Sequence, residues 1–198
     1  IHENRGLNAH IEDIARRLAL EGFIVLAPDL LSPLGGTPTD EDAARALIGK
    51  LESSQTLQQL DDVIVFLQQH AHSNGKVGAV GFCWGGGVVG DIAVHSTSLT
   101  AGVVYYGRQP KSEDVTNITV PLLLHYGGLD TRINQGIPAF GDALKKANKN
   151  YSLNIYDGVN HAFNNDTSEA RYDKAAAELA WSRTVAFFKQ NLLVKTSS

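Results

Sequence analysis

A single cysteine lies in a tight, glycine-flanked turn between two apolar runs, and this turn constrains the fold more than any other stretch. It reads Gly81-Phe82-Cys83-Trp84-Gly85-Gly86-Gly87, with apolar runs at 76–80 and 88–94. This order predicts a strand, a sharp turn and a helix, with a nucleophile at the turn in a strained backbone conformation. Side chains at Gly81 and Gly85 would collide there. The alternative is a buried structural thiol, because free cysteine is among the most buried residue types.

Apolar runs and amphipathic segments alternate along the whole chain. Helical spacing marks 8–20, 55–70, 84–95, 135–148 and 168–191, with a further helix start near Thr39, and apolar runs predict strands at 23–27, 76–80, 101–106, 121–126 and 151–156. The alternation predicts an α/β fold, a mostly parallel, doubly wound sheet with helices on both faces. In such sheets, sites form in the loops beyond the carboxyl ends of the strands. A chain of 198 residues is expected to form one domain, 1–198.

The first residues read as the end of a strand that runs into a loop. Ile1 is followed by His2-Glu3-Asn4-Arg5-Gly6, and the sequence contains no methionine. We therefore expect the domain to be incomplete at its N-terminus, with one or more strands missing upstream, where any targeting segment would also lie. A cytoplasmic location is expected, because one cysteine excludes an internal disulfide and nothing demands an oxidising compartment.

Composition excludes several classes of partner. The net charge of −4 comes without a basic stripe, which argues against nucleic acid, and no run of about 18 apolar residues predicts a membrane span. The seven histidines lie at no ligand spacing with cysteine or carboxylates, so no metal is expected. The glycine-rich turn lacks the Lys-Ser/Thr pair of a phosphate-binding loop, so no nucleotide cofactor is expected either. The oligomeric state stays open.

Three strand exits carry residues that together would form a nucleophilic site. Cys83, Asp130 and His161 follow in the order nucleophile, acid, histidine. A thiol is mostly protonated at neutral pH, and a nearby histidine takes its proton and later gives it to the leaving group. A carboxylate on the other ring nitrogen fixes the tautomer. Taken singly, Asp130 is also a turn former and His161 an ordinary loop histidine, but the three together favour catalysis.

An oxyanion formed at the cysteine needs two hydrogen-bond donors. One donor is expected to be the backbone N–H of Trp84, at the start of the helix after the nucleophile. The second is expected from the loop after an earlier strand, which is the loop 2–6 if Ile1 ends that strand. Loss of one such donor typically costs about 2.7–4 kcal/mol in the transition state.

Several segments resemble the dienelactone hydrolase family, the carboxymethylenebutenolidases, within the α/β-hydrolases. The matching pieces keep the family order over essentially the whole chain: His2-Glu3-Asn4-Arg5-Gly6-Leu7-Asn8, Ala27-Pro28-Asp29-Leu30, Gly81-Phe82-Cys83-Trp84-Gly85-Gly86, Tyr105-Tyr106-Gly107, Leu129-Asp130 and Gly158-Val159-Asn160-His161-Ala162-Phe163. The resemblance implies an α/β-hydrolase fold and a triad of Cys83, His161 and Asp130.

The resemblance also implies roles for two residues of the first loop. Glu3 would contact the resting thiol and help to generate the thiolate when substrate binds, which is physically reasonable for a carboxylate in a desolvated site. The N–H of Asn4 would be the second oxyanion donor. From the residues alone, Glu3 is equally a surface acid near the terminus.

Family members that cleave dienelactone hold its carboxylate with arginines, one of them four residues after the triad histidine, where this sequence has Asn165. Other arginines lie at or near predicted strand exits, and their planar forks suit a carboxylate: Arg5, Arg108 and Arg132. Each is equally consistent with a surface charge or an ion pair that ties a loop. Tyr106 and Trp84 are candidate walls of the pocket or ordinary core residues.

The expected function is cysteine-dependent hydrolysis of a lactone or a small carboxylic ester through an acyl-enzyme, with no cofactor. One alternative keeps the triad but acts on another acyl bond, such as a thioester. Another makes Cys83 a redox-sensing or binding thiol on a hydrolase-like fold that no longer turns over.

Overall fold

The computed structural model describes residues 1–193, and its centre is a four-stranded parallel sheet. The strands are β1 (Gly78–Phe82), β2 (Ala101–Tyr105), β3 (Leu122–Gly127) and β4 (Tyr151–Tyr156), and their spatial order follows the sequence. Val80 lies opposite Val103, and Leu124 lies opposite Leu153. Parallel neighbours need a crossover between them, which the helices provide.

Seven α-helices surround the sheet: α1 (Ala9–Leu20), α2 (Glu41–Ile48), α3 (Ser53–Gln69), α4 (Trp84–His95), α5 (Thr131–Asn134), α6 (Ile137–Lys146) and α7 (Lys174–Leu192), within residues 1–193. Short 3₁₀ turns occupy Ser32–Leu34 and Ser112–Asn117. Polar side chains begin several of these helices. Asn8 accepts from the N–H of Ile11 at the start of α1, and Asp173 accepts from the N–H of Ala176 at the start of α7.

The core has two parts, one on each face of the sheet. Val104, Leu122 and Leu124 point to one face and pack against α3, α4 and α6. Val103 and Leu123 point to the other face and pack against α1 and α7. Neighbouring residues of one strand face opposite ways because side chains alternate along a strand, and the expected doubly wound α/β fold is confirmed.

One predicted strand is wrong. Residues 23–27 belong to no strand within the described part of the chain, although their apolar run predicts one. They face β1 across an apolar groove of about 240 Å³. At one end of this groove Ile1 bonds to β1, because its amino group donates to the carbonyl of Val80 at 2.6 Å and its carbonyl accepts from the N–H of Phe82 at 3.3 Å. An apolar run becomes a strand only where another strand can pair with it.

The last helix is also shorter than predicted. It begins at Lys174 rather than at residue 168, because the intervening residues form turns closed by bonds such as Tyr172 N–H to the Ser168 carbonyl. Residues 194–198 of the expected domain lie outside the described range. No helix among residues 1–193 has both the length and the apolar character needed to cross a bilayer.

Candidate active site

Cys83 lies at the turn between β1 and α4 with a backbone φ of 53°. Residues other than glycine rarely adopt a positive φ, so the structure around Cys83 must compensate for the backbone strain. A Cβ on Gly81 would overlap the carbonyl of Gly85, and a Cβ on Gly85 would overlap the carbonyls of Ile1 and His2. The prediction that both positions must be glycine is therefore confirmed.

The ring of His161 lies between a thiol and a carboxylate. Its Nε2 is 3.2 Å from the sulfur of Cys83, and its Nδ1 is hydrogen-bonded to the carboxylate of Asp130. Asp130 follows β3 and also accepts from the N–H of Ile133, so it is held by the start of α5. With Nδ1–H donating to the carboxylate, the lone pair of Nε2 is left to accept the thiol proton. The structure thus brings together the three residues that the sequence singled out.

Two backbone N–H groups, those of Trp84 and Asn4, lie close enough to the sulfur of Cys83 to lower its pKa. The Trp84 N–H belongs to the first turn of α4, and the Asn4 N–H belongs to the loop after Ile1. These are the two donors that the sequence analysis expected around an oxyanion. Donors this close to the sulfur are positioned to stabilise an oxyanion that forms on a carbonyl carbon attacked by that sulfur.

His2 holds this first loop in place, a role that sequence reasoning missed. Its Nδ1 lies 2.8 Å from the Glu3 carbonyl, its Nε2 accepts from the N–H of Leu30 at 3.2 Å, and its ring stacks on Trp84 with centroids 5.4 Å apart. Burial lowers the pKa of His2 to about 4, so the ring is neutral and can both donate and accept. Nothing in the sequence distinguishes this histidine from a surface one.

The thiol of Cys83 is held in its protonated form. Burial and the negative charge of Glu3 raise the pKa of Cys83 to about 11, although the N–H groups of Trp84 and Asn4 and the Arg132 guanidinium act in the opposite direction. Attack therefore requires a proton acceptor, since a free thiolate is scarce at neutral pH.

Glu3 is buried beside the site, with only 7% of its surface exposed. One carboxylate oxygen accepts from the hydroxyl of Tyr106 at 3.4 Å and the other accepts from the side-chain amide of Asn165 at 3.0 Å. The family resemblance implied a contact with the thiol, but within residues 1–193 no hydrogen bond joins the carboxylate to Cys83. In this structure Glu3 acts on the thiol through its charge.

The two aromatic residues proposed as pocket walls differ in placement. Tyr106 is fully buried after β2, and its ring centroid lies 5.0 Å from that of His161. Burial raises the pKa of Tyr106 well above its usual value, so its hydroxyl is a donor. Trp84 is half-buried and packs on His2.

The three candidate arginines lie in different parts of the structure. Arg132 lines an open cavity of about 450 Å³ beside Asp130 and His161. Arg5 instead lies 3.4 Å from Glu41 and 3.3 Å from Asp42, at the start of α2.

Arg108 does not line the cavity beside Asp130 and His161, and it forms the kind of ion pair that the sequence analysis left open as the alternative to a pocket role. Its guanidinium forms a forked pair with Asp91 of α4, with one Nη1–Oδ1 distance of 3.1 Å. It is also largely exposed. The residue follows β2 as expected, but the ion pair with α4 fixes its side chain on the surface.

Three further residues belong to the surroundings of the site. Arg171 lines the same cavity as Arg132, and Asn165 and Thr167 form a hydrogen-bonded pair next to Glu3. The sequence offers only one hint to them, the position of Asn165 four residues after His161. Among residues 1–193, no cluster of three or more histidine, cysteine or acidic side chains is arranged to hold a metal ion.

The parallel sheet, the tight turn at Cys83 and the residues at the strand exits together define an α/β-hydrolase. The α/β-hydrolase MGS-M1, from a deep-sea metagenome, superposes with a TM-score of 0.57 at 15% identity, over 68% of this chain and 64% of its own. At that identity the likeness shows the fold alone.

More similar proteins narrow the class. The dienelactone hydrolase family model matches residues 1–192. An Escherichia coli O157:H7 protein named "Putative carboxymethylenebutenolidase" is 35% identical over 96% of this chain and 75% of its own length. The crystal structure of a "Putative Dienelactone Hydrolase" from Klebsiella pneumoniae has a TM-score of 0.87 at 31% identity, over 96% of this chain and 84% of that one. The chain belongs to the dienelactone hydrolase family, and the expected enzyme class, a hydrolase of ester bonds, is confirmed.

Proposed function

We propose that this chain hydrolyses a lactone or a small carboxylic ester through Cys83, His161 and Asp130. One observation carries the proposal: the His161 ring bridges the sulfur of Cys83, at 3.2 Å, and the carboxylate of Asp130. The name carboxymethylenebutenolidase, given to relatives about one-third identical, supports a lactone.

In the first half of the reaction, His161 takes the thiol proton on Nε2 while the sulfur attacks the carbonyl carbon. The electron pair of the carbonyl bond moves to the oxygen, where the N–H groups of Trp84 and Asn4 stabilise it. Collapse of this intermediate breaks the bond to the leaving oxygen, which takes the proton from His161. In a lactone the leaving group stays attached to the acyl chain. The product of this half is a thioester on Cys83.

In the second half, water replaces the leaving group. His161 accepts a proton from the water as its oxygen attacks the thioester, and the same two N–H groups hold the new oxyanion. The sulfur then leaves and is reprotonated by His161. Asp130 stays ionised throughout and stabilises the imidazolium that forms twice in each cycle.

Glu3 is assigned the control of the thiol. Its charge opposes thiolate formation while the site is empty of substrate. A substrate that weakens this electrostatic opposition helps to generate the thiolate, and the proton of the thiol goes to His161.

The proposal is tested with Cys83→Ala on small activated esters and enol-lactones. We expect hydrolysis to fall to the level of buffer, and His161→Ala to cause a loss of about 10³-fold or more. His95→Ala removes an exposed histidine at the end of α4 and serves as the matched control. Full activity of the Cys83→Ala variant would overturn the triad.

The two alternatives are separated by different measurements. A thioesterase would show its highest kcat/KM on thioesters in a panel that includes lactones and esters. A redox sensor would form a stable sulfenic acid in mild peroxide without an acyl-enzyme, but sensor thiols have low pKa values. The raised pKa of Cys83 therefore favours the hydrolase. The cytoplasmic location remains a prediction.

A further inference from the structure

The contacts of Asn165 with Thr167 fix which end of its side-chain amide faces Glu3. Its Oδ1 accepts from the backbone N–H of Thr167 at 3.0 Å and from the Thr167 hydroxyl at 2.6 Å. Two donors on one side require the carbonyl end of the amide there. The amide nitrogen is consequently turned towards Glu3, whose Oε2 lies 3.0 Å away.

The Glu3 carboxylate is held by neutral donors. The hydroxyl of Tyr106 serves one oxygen and the amide of Asn165 serves the other, and within residues 1–193 no cation forms an ion pair with it. Hydrogen bonds to an ionised carboxylate favour the charged form, and burial opposes it. These two donors therefore compensate the cost of a buried negative charge beside the nucleophile.

The loop that carries Asn165 also carries His161, so the two groups are placed by the same backbone. The N–H of Asn165 donates to the carbonyl of Ala162 at 3.0 Å, which closes a turn directly after the triad histidine. Several titratable or charged groups surround this arrangement. Tyr106 lies beside Glu3, and His161 and Arg132 lie beside Cys83. Asp130 lies behind His161, and the His10–Asp166 pair joins α1 to the loop that carries Asn165.

We propose that Asn165 is a positioning residue: its amide, aligned by Thr167, holds the Glu3 carboxylate beside Cys83, where the negative charge opposes formation of the thiolate in the resting enzyme. The inference rests on the proposed role of Cys83 as nucleophile. It assigns to position 165 a function in controlling the nucleophile, where relatives with arginine would hold the carboxylate of a substrate.

The test uses the reactivity of the thiol rather than turnover. Cys83 is the sole cysteine of the sequence, so iodoacetamide labelling followed by mass spectrometry reports on this site alone. In Asn165→Leu, a side chain of similar size without a donor, the Glu3 carboxylate loses the bond that holds it beside Cys83, so its negative charge acts less strongly on the thiol. The labelling midpoint is expected to fall by about one pH unit, which raises the rate at pH 7 by about threefold to tenfold once the lower nucleophilicity of a less basic thiolate is included.

Thr167 offers a milder pair of variants on an exposed side chain. Thr167→Val removes the hydroxyl that aligns Asn165 and is expected to shift the labelling profile in the same direction by a smaller amount. Thr167→Ser keeps the hydroxyl and is expected to match the parent protein. Equal profiles for Val and Ser would contradict the alignment by Thr167, and this pair remains informative if Asn165→Leu does not fold.

A double-variant cycle distinguishes an effect through Glu3 from general loosening of the loop. Glu3→Gln removes the charge, so it is expected to lower the labelling midpoint by itself, and adding Asn165→Leu is expected to change nothing further. A shift that persists in the Glu3→Gln background, or no shift in Asn165→Leu, would overturn the inference. Loss of hydrolysis in Cys83→Ala would stand in either case, so failure here is distinct from failure of the proposed triad.

Discussion

At the scale of single residues, the carboxylate behind the histidine is the sharpest test of the site. In Asp130→Asn, the amide no longer favours a proton on Nδ1 of His161, and the imidazolium loses a charged partner. We expect kcat to fall by about two to four orders of magnitude with little change in KM. Steady-state kinetics on an activated ester would measure both.

Asp157→Asn is the matched control, because Asp157 is exposed and lies in the loop that leads to His161. The control is expected to keep the parent kcat within about twofold. If the two variants have the same kcat, Asp130 does not orient the histidine.

The sequence predicts the triad residues because their chemistry is specific, but it does not predict their neighbours. Cys83, Asp130 and His161 follow three strands in an order that few other sites use. Asn165 and Thr167 act through ordinary amide and hydroxyl groups, and such residues are common in loops. The ion pair of Arg108 with Asp91 depends on how a strand exit lies against α4, which no local pattern specifies.

At the scale of elements, a buried polar chain joins the sheet to α7. Thr184 of α7 bonds to the hydroxyl of Tyr105 at 2.7 Å and to Nε2 of His125 at 3.2 Å, and the Tyr156 hydroxyl lies 3.0 Å from Nδ1 of His125. His125 lies within β3. The structure shows that it is fully buried and hydrogen-bonded on both ring nitrogens.

Removing the hydroxyl in the middle of this chain is expected to destabilise the fold. Thr184→Val keeps the shape but leaves the Tyr105 hydroxyl and Nε2 of His125 without a partner, at a cost of about 1–3 kcal/mol in the free energy of unfolding. Thr184→Ser keeps the hydroxyl and loses only a methyl group, so it is expected to cost less. Chemical denaturation of both variants would compare them, and a larger loss in Ser than in Val would contradict the role of the hydroxyl.

The same set of buried hydrogen bonds predicts how the stability of the fold depends on pH. Burial lowers the pKa of His125 from about 6.5 to about 3, so the folded state binds this proton less readily than the unfolded state. The stability that the neutral ring contributes is present above pH 6.5 and is lost as the pH falls towards 3, with a slope of up to about 1.4 kcal/mol per pH unit. His2 contributes with the same sign over a narrower range, because its pKa is about 4.

Unfolding free energies measured between pH 7 and 4 would test this. The parent protein is expected to lose stability more steeply than His125→Gln, because that variant has no proton to bind at this position. His95→Gln, at an exposed site, is expected to keep the parent slope. Parallel curves for the parent and His125→Gln would contradict the assignment.

The strand prediction failed at residues 23–27, because pairing with another strand, rather than local composition, decides whether an apolar run forms a strand. The four paired strands and residues 23–27 all have apolar runs, yet only the four lie beside another strand among residues 1–193. Local sequence reports how well a segment suits a strand, and tertiary pairing determines whether it becomes one. Helices were predicted more closely, because their apolar spacing and capping residues are local.

At the scale of the whole molecule, parallel pairing brings the candidate site residues to one edge of the sheet. Cys83, Tyr106, Asp130 and His161 each follow a different strand, and all four strands end on the same side. The loop 1–8 brings the N–H of Asn4 and the carboxylate of Glu3 to Cys83, and the turns after His161 place Asn165 against Glu3. Residues as far apart as Glu3 and Asn165, 162 positions along the chain, thereby lie in one site.

The strands differ in how many neighbours they pair with, and this difference predicts which backbone amides exchange through local opening. β2 and β3 have strand neighbours on both sides, whereas β1 pairs with β2 and otherwise only with Ile1 before the apolar groove. The backbone N–H groups of 23–27, across that groove, have no backbone partner among residues 1–193. Amides without such bonds exchange through small local openings, whereas central strands require opening of the sheet.

Hydrogen exchange followed by mass spectrometry would measure this gradient. Peptides that cover Val103–Val104 and Leu123–Leu124 are expected to exchange at least roughly a hundredfold more slowly than a peptide that covers 23–27, since about 3 kcal/mol more of opening free energy slows exchange by that factor. The β1 peptide that leads to Cys83 is expected to lie between them. Equal protection of 23–27 and β2 would show that the groove is closed in solution.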